Sequence, residues 1–171
     1  RLAEAGIKGI KLHPEYQSFY VDDPIMLPIY RKIAELGLIV VFHAGEDPGY
    51  PPPVHLTPER ILRVADVLPQ NRTVLAHMGS RGYLADVAKL LKDTEFYYDT
   101  AFCYEEHDPS QMVDIILEHG YEKILMASDS PWESQGAGVD TINRLALTPE
   151  QRQAILGENA ARLLGIANCT C

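Results

Sequence analysis

The sequence predicts an α/β fold of the TIM (β/α)8-barrel type, with about five of the eight βα units present. Three observations predict it. Five nearly continuous apolar runs alternate with stretches carrying helix start and stop signals, the pattern of strands buried on both faces of a parallel sheet. The polar residues ending these runs recur at βα-unit intervals: 30 residues from His13 to His43, 34 to His77, 22 to Asp99 and 30 to Asp129. No G-x-G-x-x-G, G-x-x-x-x-G-K-[ST] or G-x-S-x-G is present, so the phosphate loops and nucleophile elbow typical of open sheets are missing. Polar groups sit instead at the C-terminal strand ends, where a barrel builds its active site.

The elements follow in order. "RLAEAG" reads as the end of a helix, and residues 7–13 as the first strand. The helix "DPIMLPIYRKIAELG" starts with Asp23 before Pro24 and stops at Gly37. Residues 38–43 form the second strand, followed by the Pro- and Gly-rich loop "GEDPGYPPPVH", either a stiff lip over a site or a rigid surface loop. "TPERILRVADVLP" is a helix with Thr57 as N-cap and Pro58 at its first position. The third strand is 73–77; the helix "GYLADVAKLLKD" then puts Leu84, Val87, Ala88 and Leu91 on one face. The fourth strand is 96–101. "DPSQMVDIILEHG" has Asp108, Pro109 and Gln111 in a capping-box arrangement and Gly120 as its stop. After the fifth strand, 123–129, "TPEQRQAIL" repeats the box with Thr148, Pro149 and Gln151, and "GENAARLLG" reads as a short closing helix. A whole barrel takes about 250 residues, so roughly 80, about three βα units, are expected beyond this chain. Residues 1–171 are thus read as the C-terminal portion of a single barrel domain.

The bulk numbers exclude several classes. With 171 residues, 46% of them hydrophobic, the chain can bury a sizeable core. A net charge of −9 without a basic cluster argues against nucleic acid or an anionic membrane surface as a partner. No apolar run approaches the roughly 20 residues that span a bilayer. Three cysteines, Cys103, Cys169 and Cys171, make no disulfide framework, and a reducing, cytoplasmic setting is expected. Cys169 and Cys171 read as a frayed terminus rather than a C-x-C metal site.

A lone strand-end histidine is more often structural than a ligand. Four strand ends in register, His13, His43, His77 and Asp129, change that weighting. Imidazoles and a carboxylate converging on one mouth suit a divalent metal of the zinc type, which lowers the pKa of bound water towards about 7. An aspartate beside it can accept the water's proton and pass it to a leaving group. Asp99 and Thr100 read as structural caps, and Ser128 and Ser130 as support for Asp129. His107 and His119 read as surface residues, His119 favoured near a helix C-terminus.

The segments "GIKGIKLHPEYQSF", "VVFHAGEDPGYPPPVH", "LAHMGS", "YYDTAF", "ILMASDSPW" and "ILGENAARLLGI" resemble the amidohydrolase superfamily, in its branch of metal-dependent hydrolases and decarboxylases, amidohydrolase family 2. The resemblance runs over the whole chain, from the family's fourth barrel strand to its last helix. It implies His43 and Asp129 as metal ligands, with His77 ligating a metal or acting on substrate. Asp129 also shuttles protons. Lys11 falls where some members bridge two metals with a carboxylated lysine; otherwise Lys11 or His13 faces the substrate. Apart from the resemblance, Tyr50 or His55 touches substrate if the loop is a lip and neither does if it is a rigid surface loop, and Trp132 either lines the pocket or covers the end of the core. The implied cofactor is a divalent metal, zinc first, with manganese or iron as alternatives. The implied reaction is hydrolysis of an amide, ester or lactone-like bond of a small molecule by metal-activated water. The rivals are non-oxidative decarboxylation on the same scaffold and a catalytically incomplete structural fragment. The family's first-strand His-x-His pair is absent, as no His-x-His occurs in the sequence. The isolated chain is therefore expected to bind metal weakly and turn over little, which stoichiometric zinc with normal turnover would refute. Its open strand edges predict association, either as a homo-oligomer or with an N-terminal part.

Overall fold

The computed structural model describes residues 1, 3–103 and 108–166; His107, Cys169 and Cys171 lie outside these. Each apolar run holds a short strand: β1 (Gly9–Leu12), β2 (Ile39–Phe42), β3 (Thr73–Leu75), β4 (Tyr97–Asp99) and β5 (Ile124–Leu125). They form one parallel sheet in chain order. The strands end earlier than predicted because the chain turns out of the ladder at its polar residues. His77, Met78 and Asp129 take left-handed φ values of 61°, 53° and 53°.

Register decides which side chains meet. Lys11 pairs with Val41, Val41 with Val74, Val74 with Tyr97, and Asp99 with Leu125. Side chains alternate along a strand, so these positions share one face. A small cluster of Ile39, Val74 and Leu125, joined by Val41, Tyr97, Ala160 and Leu163, fills the lower part of that face. Val40, Phe42, Leu75, Tyr98 and Ile124 point the other way, into the main core with the helices. Both faces are covered, which is why the strands read as continuous apolar runs.

α1 (Leu27–Glu35) follows a 3-10 turn at Pro24–Met26 and buries Tyr30 and Ile33. α2 (Pro58–Leu62) is capped as predicted, Thr57 accepting from the Arg60 amide. The predicted helix after β3 is split: α3 (Leu84–Asp86) continues as a π-helical turn, Val87–Leu91, with Leu84, Val87 and Leu91 buried. α4 (Pro109–His119) starts at Asp108, whose carboxylate accepts from the Ser110 amide; the predicted box with Gln111 does not form. α5 (Gln135–Arg144) was not anticipated; two glycines in its first turn mask it. α6 (Pro149–Gln153) has the predicted box, with both the Thr148 and Gln151 bonds made. A π turn at Ala154–Glu158 leads into α7 (Asn159–Leu164). Asn159, fully buried, donates to the carbonyls of Tyr121 (2.7 Å) and Ile124 (2.8 Å), which fastens α7 to β5. Among the described residues no helix is long and apolar enough to cross a membrane.

His119 corrects the sequence reading. It is buried, not on the surface, its ring stacked on Tyr98 at 4.0 Å. Nδ1 lies 3.1 Å from the Lys92 carbonyl and Nε2 2.7 Å from the Phe96 carbonyl. Burial pulls its pKa below 6.5, against those two carbonyls. The unfolded chain therefore takes this proton first on acidification. Its stabilisation is complete above the unfolded pKa and is lost as pH falls below 6.5 towards the folded value. The Tm is expected to drop on acidification below 6.5, and less steeply in His119→Gln. Equal slopes in thermal melts of the two proteins would disprove the coupling.

Candidate active site

The sequence explains how the strand ends come together. The His43 amide donates to the Leu12 carbonyl (3.0 Å), extending the β1–β2 pairing by one residue and seating His43 beside His13. The two imidazoles stack at 4.1 Å, 8° from parallel, and Tyr16 stacks on His13 at 3.7 Å. The loops after β2 and β3 are joined in turn: Arg81 N donates to Ala44 O and Glu46 N to Arg81 O, both 3.0 Å. Gly45, at φ 88°, permits this approach, since a Cβ there would overlap the Arg81 main chain. Above these strand ends lies a cavity of about 440 Å³ walled by His13, His43, His77, Asp129 and Trp132, with Asp47 and Arg81 beside them.

A hydrogen-bond relay fixes the state of His43. The Nδ1 of His77 lies 2.8 Å from the Ala101 carbonyl. A carbonyl only accepts, so this nitrogen carries the proton. In the neutral ring the His77 Nε2 then accepts from His43 Nδ1, 3.0 Å away. The lone pair of His43 is left on Nε2, which is buried and has no hydrogen-bond partner. Burial, reinforced by His77, His13, Lys11 and Arg81, pulls the His43 pKa down to about 2, so the ring stays neutral. Asp99 holds the turn that delivers His77: its Oδ1 accepts from the His77 amide (3.0 Å) and the Ala101 amide (3.1 Å). These bonds offset left-handed backbone at His77 and Met78, which costs about 1–3 kcal/mol per residue. Asp99 is the structural cap that its position predicted.

The remaining predicted residues divide. His13 lies with Nε2 3.3 Å from Asp47 Oδ2 and Nδ1 3.7 Å from Glu15 Oε2; desolvation lowers its pKa, opposed by those two carboxylates. Lys11 lies on β1, an edge strand of the sheet, and the residue as a whole is exposed. Its ammonium is nonetheless desolvated enough to lower its pKa, against the pull of Asp99 and Asp129. Trp132, 74% exposed, forms an outer wall. Lys11 and Tyr50 are not in the cavity wall. Tyr50 borders a neighbouring hollow of about 380 Å³ beyond Asp47 and Arg81. His55 braces the loop from outside the cavity, its amide donating to Glu15 Oε1 and its Nδ1 lying 3.1 Å from the Pro14 carbonyl.

Sequence reasoning missed Asp47, Arg81, Tyr16 and Phe102. A signal for two of them existed: Asp47 and Arg81 each stand four residues after a strand-end histidine, in loops that the Gly45–Arg81 bridge joins. The donor types, imidazole nitrogens and carboxylates, suit a divalent cation. His13, His43 and Asp47 offer ligand atoms all within 4.8 Å of one another, and His43 brings a bare, buried nitrogen.

Comparison with known proteins bears on the family and the fold. The family model described as Amidohydrolase matches residues 1–166. No curated protein matches the chain in sequence. Among solved structures the chain is similar to 5-carboxyvanillate decarboxylase LigW from Sphingomonas paucimobilis, with a TM-score of 0.73 and 20% identity, covering 98% of this chain and 61% of that one. It is similar to dihydroxybenzoic acid decarboxylase from Polaromonas sp. JS666, which holds manganese and the inhibitor 2-nitroresorcinol (TM-score 0.70, 19% identity, 96% and 62% covered). It is also similar to a putative 2-pyrone-4,6-dicarboxylic acid hydrolase from Pseudomonas putida (TM-score 0.65, 20% identity, 96% and 65% covered). At these identities the likeness is one of fold, and the chain spans less than two thirds of each of these structures. By the match of 166 residues and by its parallel α/β sheet, the chain belongs to the amidohydrolase family.

Proposed function

We propose that this protein is a metal-dependent hydrolase cleaving an amide, ester or lactone-like bond of a small molecule. Its five strands correspond to the fourth to eighth of a (β/α)8 barrel, with the site at the carboxyl rim. The observation that carries the reading is the bare, buried Nε2 of His43 in a strand-end cavity that also holds Asp129. A divalent cation bound there would supply water of lowered pKa and a Lewis acid for a substrate carbonyl. Nitrogen and carboxylate donors suit zinc first, with manganese or iron also compatible. The chain's own residues do the rest. His43 would hold the cation through Nε2, and His77 keeps His43 in the tautomer that leaves Nε2 bare. Asp129 is the general base that takes the water's proton and returns it to the leaving group. His13 approaches the substrate from the end of β1, with Lys11 outside the cavity wall, and Trp132 forms the outer side of the cavity.

A second reading has an observation of its own. The Arg81 guanidinium lies 4.5 Å from the Phe102 ring centroid, in a wall that also includes Tyr16 and Trp132. A cation among aromatic rings suits a planar carboxylate, and two of the similar structures are aryl carboxylate decarboxylases. Lactones and aryl carboxylates, each incubated with the protein and zinc or manganese, separate the readings. A new carboxyl group without carbon dioxide is the expected result. Released carbon dioxide favours decarboxylation, and no turnover with either metal overturns both.

A further inference from the structure

We propose that the amino end of the sheet carries a second binding site, which takes a phosphoryl group on Lys8, Arg72 and Arg162. The site is separate from the strand-end cavity and does not depend on a cation there. Its three side chains are far apart in sequence, so no basic cluster is legible along the chain. The fold brings them together where β1, β2 and β3 begin and α7 ends, around a hollow of about 350 Å³. This is the opposite end of the strands from His13, His43 and Asp129. The chain has 24 acidic residues against 15 Lys and Arg, yet among the described residues no carboxylate lines this hollow. Its volume falls within the range of about 300–1,000 Å³ typical of small-molecule sites.

Two of the cations are uncommitted. Lys8 and Arg72 are exposed, and their side chains make no hydrogen bond or ion pair among the described residues. Arg162 is held in place: its Nη2 donates to the Glu122 carbonyl (2.7 Å) and to Asn159 Oδ1 (2.8 Å). The Nε and Nη1 donors of that guanidinium remain without a partner among the described residues. Cations also suit helix C-termini, and α1 and α7 both end beside the hollow. Each such end carries only about half a negative charge, so three cations exceed what the two ends balance. Lys8 and Arg72 are bonded to no carbonyl of either helix. A phosphoryl group fits the surplus. It brings about two negative charges and three acceptor oxygens, and a carboxylate brings fewer of both. Ile7, Ile39 and Leu163 line the same hollow and offer an apolar surface to an organic body.

The test is a calorimetric titration of the whole chain with phenyl phosphate at fixed ionic strength. The parent is expected to bind it saturably, and the Lys8→Gln, Arg72→Gln double variant about tenfold or more weakly. Neither side chain makes a bond that the fold needs, and thermal melts check that both proteins are folded. Arg31→Gln with Lys89→Gln removes the same charge from exposed positions outside the hollow and stays within about twofold of the parent. Inorganic phosphate is titrated alongside. Weaker binding than phenyl phosphate marks an organic ester as the ligand, and equal binding marks free phosphate; both support the site. No saturable binding by the parent overturns it. So does an affinity unchanged in the Lys8→Gln, Arg72→Gln variant, or lost instead in Arg81→Gln, which puts the anion in the strand-end cavity. None of these outcomes bears on the metal-dependent reading.

Discussion

His43→Ala lowers kcat/KM by more than about 100-fold and weakens divalent-cation binding at least as much, while the protein still folds. Removing a group that only supports a metal ligand costs about 10–100-fold. Removing the proposed ligand itself costs more, and here the same substitution also frees His77 Nε2 from its 3.0 Å contact. His77→Gln falls in the lower range, since it keeps the His43 lone pair and loses only control of its direction. Activity and cation titrations on both variants check this ordering. Retention of a tenth or more of the parental kcat/KM by His43→Ala would remove His43 from the mechanism.

The largest stability effect is expected one residue earlier. Phe42 is fully buried and meets Tyr30 edge-on, at 5.8 Å between centroids and 82° between planes. Phe42→Ala removes this contact and opens a cavity between the central sheet and α1, costing about 3–5 kcal/mol. At roughly 2–4 °C per kcal/mol for a chain of this size, Tm falls by about 10 °C. Phe42→Leu fills most of the volume and loses under about half as much. Denaturant midpoints should shift with unchanged slope. An alanine variant within about 1 kcal/mol of the parent would mean that the core closes over the gap.

Much of this was legible in the sequence, for identifiable reasons. A parallel strand with both faces covered has to be apolar throughout, so a polar residue ending it marks the rim. His13, His43, His77 and Asp129 line one cavity as that rule predicts. What stayed hidden depended on contacts across the chain. His119 looks like a helix-end cation until Tyr98, Lys92 and Phe96 close around it. Asp47 and Arg81 sit in loops whose meeting depends on a backbone approach that only Gly45 allows. The π turn at Val87–Leu91 keeps the same apolar face as an α-helix, so periodicity cannot separate the two. At α4 the Asp108 carboxylate finds the Ser110 amide one residue sooner than the box requires.

The Ala101 carbonyl begins the proton order that ends at the bare nitrogen of His43. A main-chain oxygen survives every side-chain replacement. Residues of the cavity wall, such as Tyr16, Arg81, Phe102 and Trp132, can therefore be exchanged without rewriting which nitrogen of His43 is available. The proton order of the two histidines and the make-up of the cavity wall are held by separate parts of the molecule.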